Sequence, residues 1–470
     1  MQILRYVLPL LLLGHFTNYT IAQKYEHPNA SEIDIIFQEW DKPTSPGLAL
    51  GVFHDGKIVF SKGYGSADLE HDVPITPSTV FYTGSVSKQF VTMCILLLEE
   101  EGLLDLDAEI QTYLPDFPRY EHPLTIRNFV HHTSGVRDYL TLWNLAGNDF
   151  LDAAPEEAFY EMIKRQKELN FTPGERYLYS NSCYFMLSMI IEKVSGKSLK
   201  DYAQENILGP LNMSNSHFHD DHTHIIKDRA FSYRSTEDGY ENIIMRFDQV
   251  GSGGLYSTIE DLFKWDQNFY KNTLGKGGPQ LIDKMEEEGL LNNGESTNYA
   301  FALRHGDYRG LKTIGHTGSL AGYRAVMTRF PDQNLTVAIL SNIMGFQTSA
   351  KAMEVVDIFL KDDLGPVEKE DNQSIGSTGS GTEAFIVSDL SQYTGTYYSK
   401  ELNTRYHFEI ENDTLQIKVK YNSPIKLRPT AKDRFRRIVE IRFVRDNDGN
   451  ITGFILDAGR VQNLKFEKIN

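Results

Sequence analysis

Ser85 and Lys88 stand three residues apart at the head of an apolar run, Phe81-Tyr-Thr-Gly-Ser-Val-Ser-Lys-Gln-Phe90. Helical positions i and i+3 share a face, so this spacing predicts a hydroxyl and an amine held together at a helix start. A serine hydroxyl attacks a carbonyl only when a base takes its proton, and a desolvated lysine can act as that base. Two further groups follow. Tyr179-Ser180-Asn181 comes after the turn Thr172-Pro173-Gly174-Glu175 and opens a second apolar helical run, and His316-Thr317-Gly318 precedes a strand-like run. Singly, each has a plain structural explanation: Ser85 a helix cap, Lys88 a solvated charge, Tyr179 a core aromatic, His316 a loop imidazole. As an ordered set they fit nucleophilic acyl transfer.

Ser85-x-x-Lys88, Tyr179-x-Asn181 and His316-Thr317-Gly318, in that order, resemble the signature of the serine β-lactamase-like superfamily. The resemblance is to the branch holding class C β-lactamases, D-alanyl-D-alanine carboxypeptidases, D-aminopeptidases and related esterases. It extends over residues 30–360 and includes Leu124-Thr-Ile-Arg-Asn-Phe-Val-His-His-Thr-Ser-Gly135 and Gly253-Gly-Leu-Tyr-Ser-Thr-Ile-Glu-Asp-Leu262. It implies an α+β fold of the β-lactamase/transpeptidase type, in which first and last strands join one antiparallel sheet flanked by helices, with a helical subdomain beside it.

The resemblance also implies roles. Ser85 carries the acyl group. Lys88 keeps Ser85 and Tyr179 poised to give up protons, and Tyr179 is general base and proton shuttle. Asn181 bonds the substrate amide, Thr317 offers a hydroxyl to a substrate carboxylate or carbonyl, and His316 and Gly318 belong to the same substrate-binding strand. The backbone N–H groups of Ser85 and Ser319 form the oxyanion hole. No cofactor or metal is called for. His316 stands where β-lactamases carry lysine, which favours peptidase-like or esterase-like chemistry over β-lactam hydrolysis. The expected function is that of an exported serine hydrolase acting through an acyl-enzyme on D-amino-acid or cell-wall-related peptides. A small-ester hydrolase is the alternative, followed by a β-lactamase or a silent binding protein. A free histidine titrates at about 6.5, so His316 predicts an inflection in kcat/KM at about pH 6–7.5. Arg304, Arg309 and Arg324 are nearby in sequence and could bind a substrate carboxylate; the sequence selects none of them.

These residues need elements to hold them. Ser31 to Gln38 predicts a first helix, and Asp55-Gly56 a hairpin turn between Gly47–Phe53 and Lys57–Phe60. Phe90, Met93, Cys94, Leu97 and Leu98 keep helical spacing behind Ser85. A second hairpin is predicted about Pro331-Asp332-Gln333-Asn334, with a last amphipathic helix from Met353 to Leu360. The loop Val136 to Phe150, with Arg137, Asp138, Tyr139 and Trp143, is placed either at the cleft or as packed surface.

The chain of 470 residues divides on composition into a leader over 1–22, a hydrolase over 23–362, a Gly/Ser-rich linker over 363–384 and a strand-rich module over 385–470. Arg5 followed by the apolar Tyr6–Leu13 makes the leader a secretory signal, hence periplasmic or secreted protein. The last module resembles the small lipocalin-like β-barrels appended to some family members, and structural support is its favoured role. A formal charge of −17 argues against nucleic acid and anionic membrane as partners, leaving a small molecule or peptide. Cys94 and Cys183 lie in apolar runs and read as buried small side chains rather than a bridge. His217, His219, Asp220, Asp221, His222 and His224 hold metal-ligand types in no ordered spacing and read as a solvated loop.

Overall fold

The computed structural model describes residues 27–149, 151–366, 385, 387–420 and 422–469. The leader over 1–22 lies outside the described residues, as does the linker from residue 367 to 384.

The Asp55-Gly56 turn joins strands Leu48–His54 and Lys57–Tyr64, which form one end of a six-stranded antiparallel sheet. Across that sheet lie Arg304–Tyr308, Leu311–Leu320, Tyr323–Phe330, Leu335–Ser341, Leu48–His54 and Lys57–Tyr64. Leu48 pairs with Ser341, so strands nearly 300 residues apart in sequence are neighbours, and the first and last parts of the hydrolase close one sheet. Alternation along Leu48–His54 gives both faces a core. Leu48, Leu50 and Val52 pack with Ile33, Phe37, Val355 and Val356 from helices Ala30–Phe37 and Thr348–Phe359. Ala49 and Phe53 point the other way, into the larger core shared with the helical subdomain.

That core is organised on the helix Lys88–Glu100, every residue of which from Lys88 to Leu98 is buried. A helix apolar on nearly all sides belongs at the centre of a fold. Its principal neighbour is helix Asn181–Ser195, buried from Asn181 to Ser188. Cys94 and Cys183 sit within this pair as free buried thiols, and Cys183 Sγ lies 3.2 Å from Ser134 Oγ.

The C-terminal strands form a nine-stranded antiparallel sheet that curls into a nearly closed barrel. Its outermost strands, Ile425–Lys426 and Arg428–Ala431, are consecutive in sequence, which brings the two edges of the sheet together. Tyr397, Phe408, Phe443, Phe454 and Phe466 fill the interior. This core does not end at the module's own residues: Leu142, Leu145, Ala146 and Met162 of the hydrolase are part of it. Helix Tyr139–Leu145 thus closes part of the barrel, and Tyr406 Oη donates to Leu145 O at 2.8 Å.

Candidate active site

Ser85 does not begin the α-helix itself. It lies in a 3₁₀ turn, Gly84–Ser87, from which the α-helix continues at Lys88. The tighter winding eclipses i and i+3, which suits a contact between the two side chains. Lys88 Nζ lies 3.0 Å from Ser85 Oγ and 2.9 Å from Asn181 Oδ1, and it also bonds Ser252 O. Two of these three partners are carbonyl oxygens that can only accept. A neutral amine satisfies both with its hydrogens and keeps its lone pair for the Ser85 hydroxyl proton. Burial drives Lys88 toward that state, well below the usual lysine range, against the opposing pull of Asp138.

Asn181 is fixed by Asp138, a buried carboxylate that accepts from the Asn181 backbone N–H at 2.7 Å and from Nδ2 at 2.8 Å. The same carboxylate caps helix Tyr139–Leu145 through Thr141 N–H at 2.9 Å. With Oδ1 on Lys88 and Nδ2 on Asp138, one amide hydrogen of Asn181 remains for substrate. The segment Val136–Phe150, left undecided between cleft wall and packed surface, does both: Leu140 lines the cleft, and Trp143 packs on Phe159.

Tyr179 lies beside Ser85, and its hydroxyl has no close hydrogen-bond partner among the described residues. His132 packs on its ring with centroids 4.2 Å apart. That imidazole is held in turn by the Ser180 backbone N–H, which donates to its Nδ1 at 3.2 Å. Burial raises the phenol above its ordinary value, and Ser85 and the Arg460 guanidinium only partly oppose this.

His316 departs from expectation. Its Nε2 lies 3.0 Å from Tyr299 Oη and its Nδ1 2.6 Å from Thr317 O. The carbonyl can only accept, so Nδ1 carries the hydrogen and Nε2 accepts from the tyrosine. Burial, reinforced by Lys88, pushes the imidazole down to about 3. The near-neutral titration expected of a free histidine is therefore replaced by a neutral ring with both nitrogens engaged. Thr317 and Ser319 are exposed along the same strand and line the cleft.

Backbone contacts bring that strand against the nucleophile turn. A methyl group on Gly318 would sit 1.9 Å from Thr83 O, and one on Gly84 would sit 2.5 Å from Ser319 N. Both positions require glycine for this close approach. The expected oxyanion amides, Ser85 and Ser319, are thereby brought to one place.

The cleft encloses about 660 Å³ and is lined by Ser85, Tyr179, Asn181, His316, Thr317 and Ser319 among others. Of the arginines considered from sequence, Arg304 and Arg324 line it. Arg309 instead pairs with Asp357 at 3.1 Å and bonds Gly365 O. Arg460, from the barrel, lines it as well and was not foreseen. The module read as structural support thus forms part of the rim. Its only sequence mark is Gly459-Arg460 between two alternating strands, which signals a hairpin tip but not where that tip docks.

The histidine-rich segment is not the solvated loop expected from sequence: His217–Phe218 is a strand, His219 is buried, and Lys200 and Asp248 hold Asp220 and His222. His222 Nδ1 lies 2.7 Å from Asp248 Oδ2, and His217 Nε2 lies 3.3 Å from His219 Nδ1. Among the described residues no group of three or more His, Cys, Asp or Glu converges as a metal-ligand set. No helix among them is long and apolar enough to cross a membrane.

The family model Beta-lactamase matches residues 33–358. Penicillin-binding protein 4* of Bacillus subtilis (strain 168) is 28% identical over 432 residues, covering 86% of this chain and 91% of that protein. A D-aminopeptidase of Cereibacter sphaeroides (strain ATCC 17029 / ATH 2.4.9) is 30% identical over 300 residues, covering 63% of this chain. The match spans only 57% of that enzyme's length. Among solved structures, the octameric penicillin-binding protein homologue from Pyrococcus abyssi superimposes with a TM-score of 0.61 at 25% identity, covering 93% of this chain and 98% of that one.

Proposed function

The chain belongs to the beta-lactamase family, and on that premise we propose that it is an exported serine hydrolase that cleaves peptides or amides containing D-amino acids through an acyl-enzyme on Ser85. The contact between Ser85 Oγ and Lys88 Nζ carries this reading, since it pairs a hydroxyl with an amine that burial pushes toward its basic, uncharged form. The names of the relatives, a penicillin-binding protein and D-aminopeptidases, support the substrate class. Export is supported by the character of residues 1–22.

In the proposed mechanism, Lys88 accepts the Ser85 proton as Oγ attacks the carbonyl carbon. The oxyanion is received by the backbone N–H groups of Ser85 and Ser319. Tyr179, next to both the nucleophile and the leaving group, relays the proton to the departing nitrogen, and the reverse sequence delivers water to the acyl-enzyme. Asn181 presents its free amide hydrogen to the substrate carbonyl, and Thr317 and Gly318 align the substrate backbone along the strand edge. His316 shapes this wall through Tyr299 and supplies no charge. A carboxylate on the substrate would be met by Arg304 and Arg324, which line the cleft.

The test is intact-mass spectrometry after fluorophosphonate or penicillin treatment, coupled to a panel of D-Ala-D-Ala peptides, D-aminoacyl amides, nitrocefin and p-nitrophenyl esters. One adduct is expected on the wild type and none on Ser85→Ala, with turnover greatest on the D-configured amides. An undiminished adduct on Ser85→Ala removes the assignment. Turnover confined to esters replaces the substrate class by the esterase alternative.

A further inference from the structure

Burial pushes most of the groups around Tyr179 toward their uncharged forms. Lys88 Nζ is 5.0 Å from the ring centroid and is driven well below the usual lysine range by burial. His132 and His316 face the ring from the loop before Asp138 and from the substrate strand, and burial keeps both imidazoles deprotonated. Tyr177, Tyr184 and Tyr299 are phenols whose ionisation burial opposes. Asp138 is the near anion. Arg304 is spent on other rings, 5.5 Å from Tyr177 and 5.8 Å from Tyr299.

Among the described residues, Arg460 is the arginine that lies over the Tyr179 ring. The Arg460 guanidinium carbon lies 4.6 Å from the Tyr179 ring centroid, and Nη1 is 3.9 Å from Asp138 Oδ2. A guanidinium does not deprotonate in the working range of an enzyme. Its position is set by backbone: Ala458 pairs with Val461, leaving Gly459-Arg460 as a two-residue hairpin turn with Gly459 at φ 57°. Arg460 O accepts from Asp138 N–H at 3.3 Å and from Asn170 Nδ2 at 2.9 Å, so the tip is fastened to the hydrolase independently of the arginine side chain.

We propose that Arg460, carried into the cleft by the C-terminal barrel, is a positioning residue for Tyr179: its charge over the ring stabilises the phenolate that forms as Tyr179 relays a proton. A cation is attracted to the face of a neutral phenol and more strongly to a phenolate, so the contribution grows as the proton leaves. Among the described residues, no arginine of the hydrolase lies over this ring; the barrel supplies the guanidinium. The inference rests on Tyr179 being a proton relay, as proposed above.

A D-aminoacyl anilide, which offers no carboxylate to an arginine and whose leaving nitrogen needs the relayed proton, isolates the effect on the relay. Its kcat/KM is measured in the full chain. Arg460→Met is expected to lower it about tenfold. Arg460→Lys should retain most of the wild-type rate. In a Tyr179→Phe background, Arg460→Met should change nothing further, because both act through one group. Equal losses in the two backgrounds would overturn the proposal. So would an unaltered kcat/KM for the anilide accompanied by a raised KM for carboxylate-bearing substrates alone, which would make Arg460 a substrate contact. A wild-type rate in Tyr179→Phe would remove the relay and this inference with it. A slow Tyr179→Phe beside an unaffected Arg460→Met would remove only the inference.

Discussion

Removing the Glu401 carboxylate should loosen the barrel from the hydrolase more than any other single change at their junction. Glu401 Oε1 lies 2.8 Å from Arg137 Nη1, and the arginine side chain is 0% exposed. The guanidinium also bonds Gln166 Oε1 at 2.9 Å, Gln462 O at 3.0 Å and Asn463 O at 3.2 Å. In Glu401→Ala these neutral acceptors remain, but the charge is left buried without its counterion. Breaking one side of a buried ion pair costs about 3–5 kcal/mol. The Lys167 N–H also loses its acceptor, now at 2.7 Å, which adds roughly 1 kcal/mol. A total of about 5 kcal/mol is roughly a few thousandfold in the equilibrium between docked and undocked forms. Hydrogen exchange of strand Val461–Lys468 and of helix Tyr139–Leu145 reads that equilibrium directly, and urea unfolding followed through tryptophan fluorescence reads the hydrolase. Both elements should lose protection together in Glu401→Ala. In Arg137→Met/Glu401→Leu, where no charge is buried, much of it should return. A loss under about 1 kcal/mol, or a double variant no better than the single one, would refute the view that this pair governs docking.

Asp138→Asn should lower kcat by about 10–100-fold with little change in KM, since the carboxylate that orients Asn181 against Lys88 is lost; steady-state kinetics on the best amide checks this. Lys88→Arg should abolish acylation at every pH, because arginine cannot take up the Ser85 proton; fluorophosphonate labelling is the readout. His316 should give kcat/KM no inflection near neutrality, and a wild-type inflection at about 6.5 that vanishes in His316→Lys would contradict its buried neutral state. His131 and His316 have folded values of about 4 and about 3 against 6.5 when unfolded. The unfolded chain therefore binds more protons as pH falls below 6.5, and stability is lost down to the folded values, by about 2 kcal/mol per histidine at pH 5. Asp266, raised to about 6, runs the opposite way and returns roughly 1 kcal/mol, so urea midpoints should fall between pH 7 and pH 5. Limited proteolysis should cut within 363–384, the segment proposed as linker, and under native conditions the two fragments should stay associated through the buried Arg137–Glu401 pair.

Local chemistry made most of the hydrolase legible. The Asp55-Gly56 and Pro331–Asn334 turns, the helix behind Ser85 and the contact of Ser85 with Lys88 follow from turn chemistry, spacing and apolar periodicity, whereas the placing of Tyr179 and Asn181 beside them was what the resemblance implied. The 3₁₀ turn at Ser85 was not readable, because a 3₁₀ start and an α start bear the same pattern over one turn. The state of His316 was not readable either. An imidazole's charge is decided by what surrounds it, and Tyr299 and Lys88 reach it from distant parts of the chain. Asp138 was noticed only as a member of a loop, since a carboxylate that orients another side chain has no motif of its own. Arg460 was invisible for a stronger reason: docking between modules depends on complementary surfaces, and neither surface advertises the other in one dimension.

The close backbone approach at Gly84 and Gly318 leaves no room for a side chain at either position. The turn that carries Ser85 and the strand Leu311–Leu320 therefore fit together without slack, and a methyl group at either glycine has to push them apart. The Ser85 and Ser319 amides sit on the two sides of that seam, so such a substitution would separate them while leaving every catalytic side chain in the sequence unchanged.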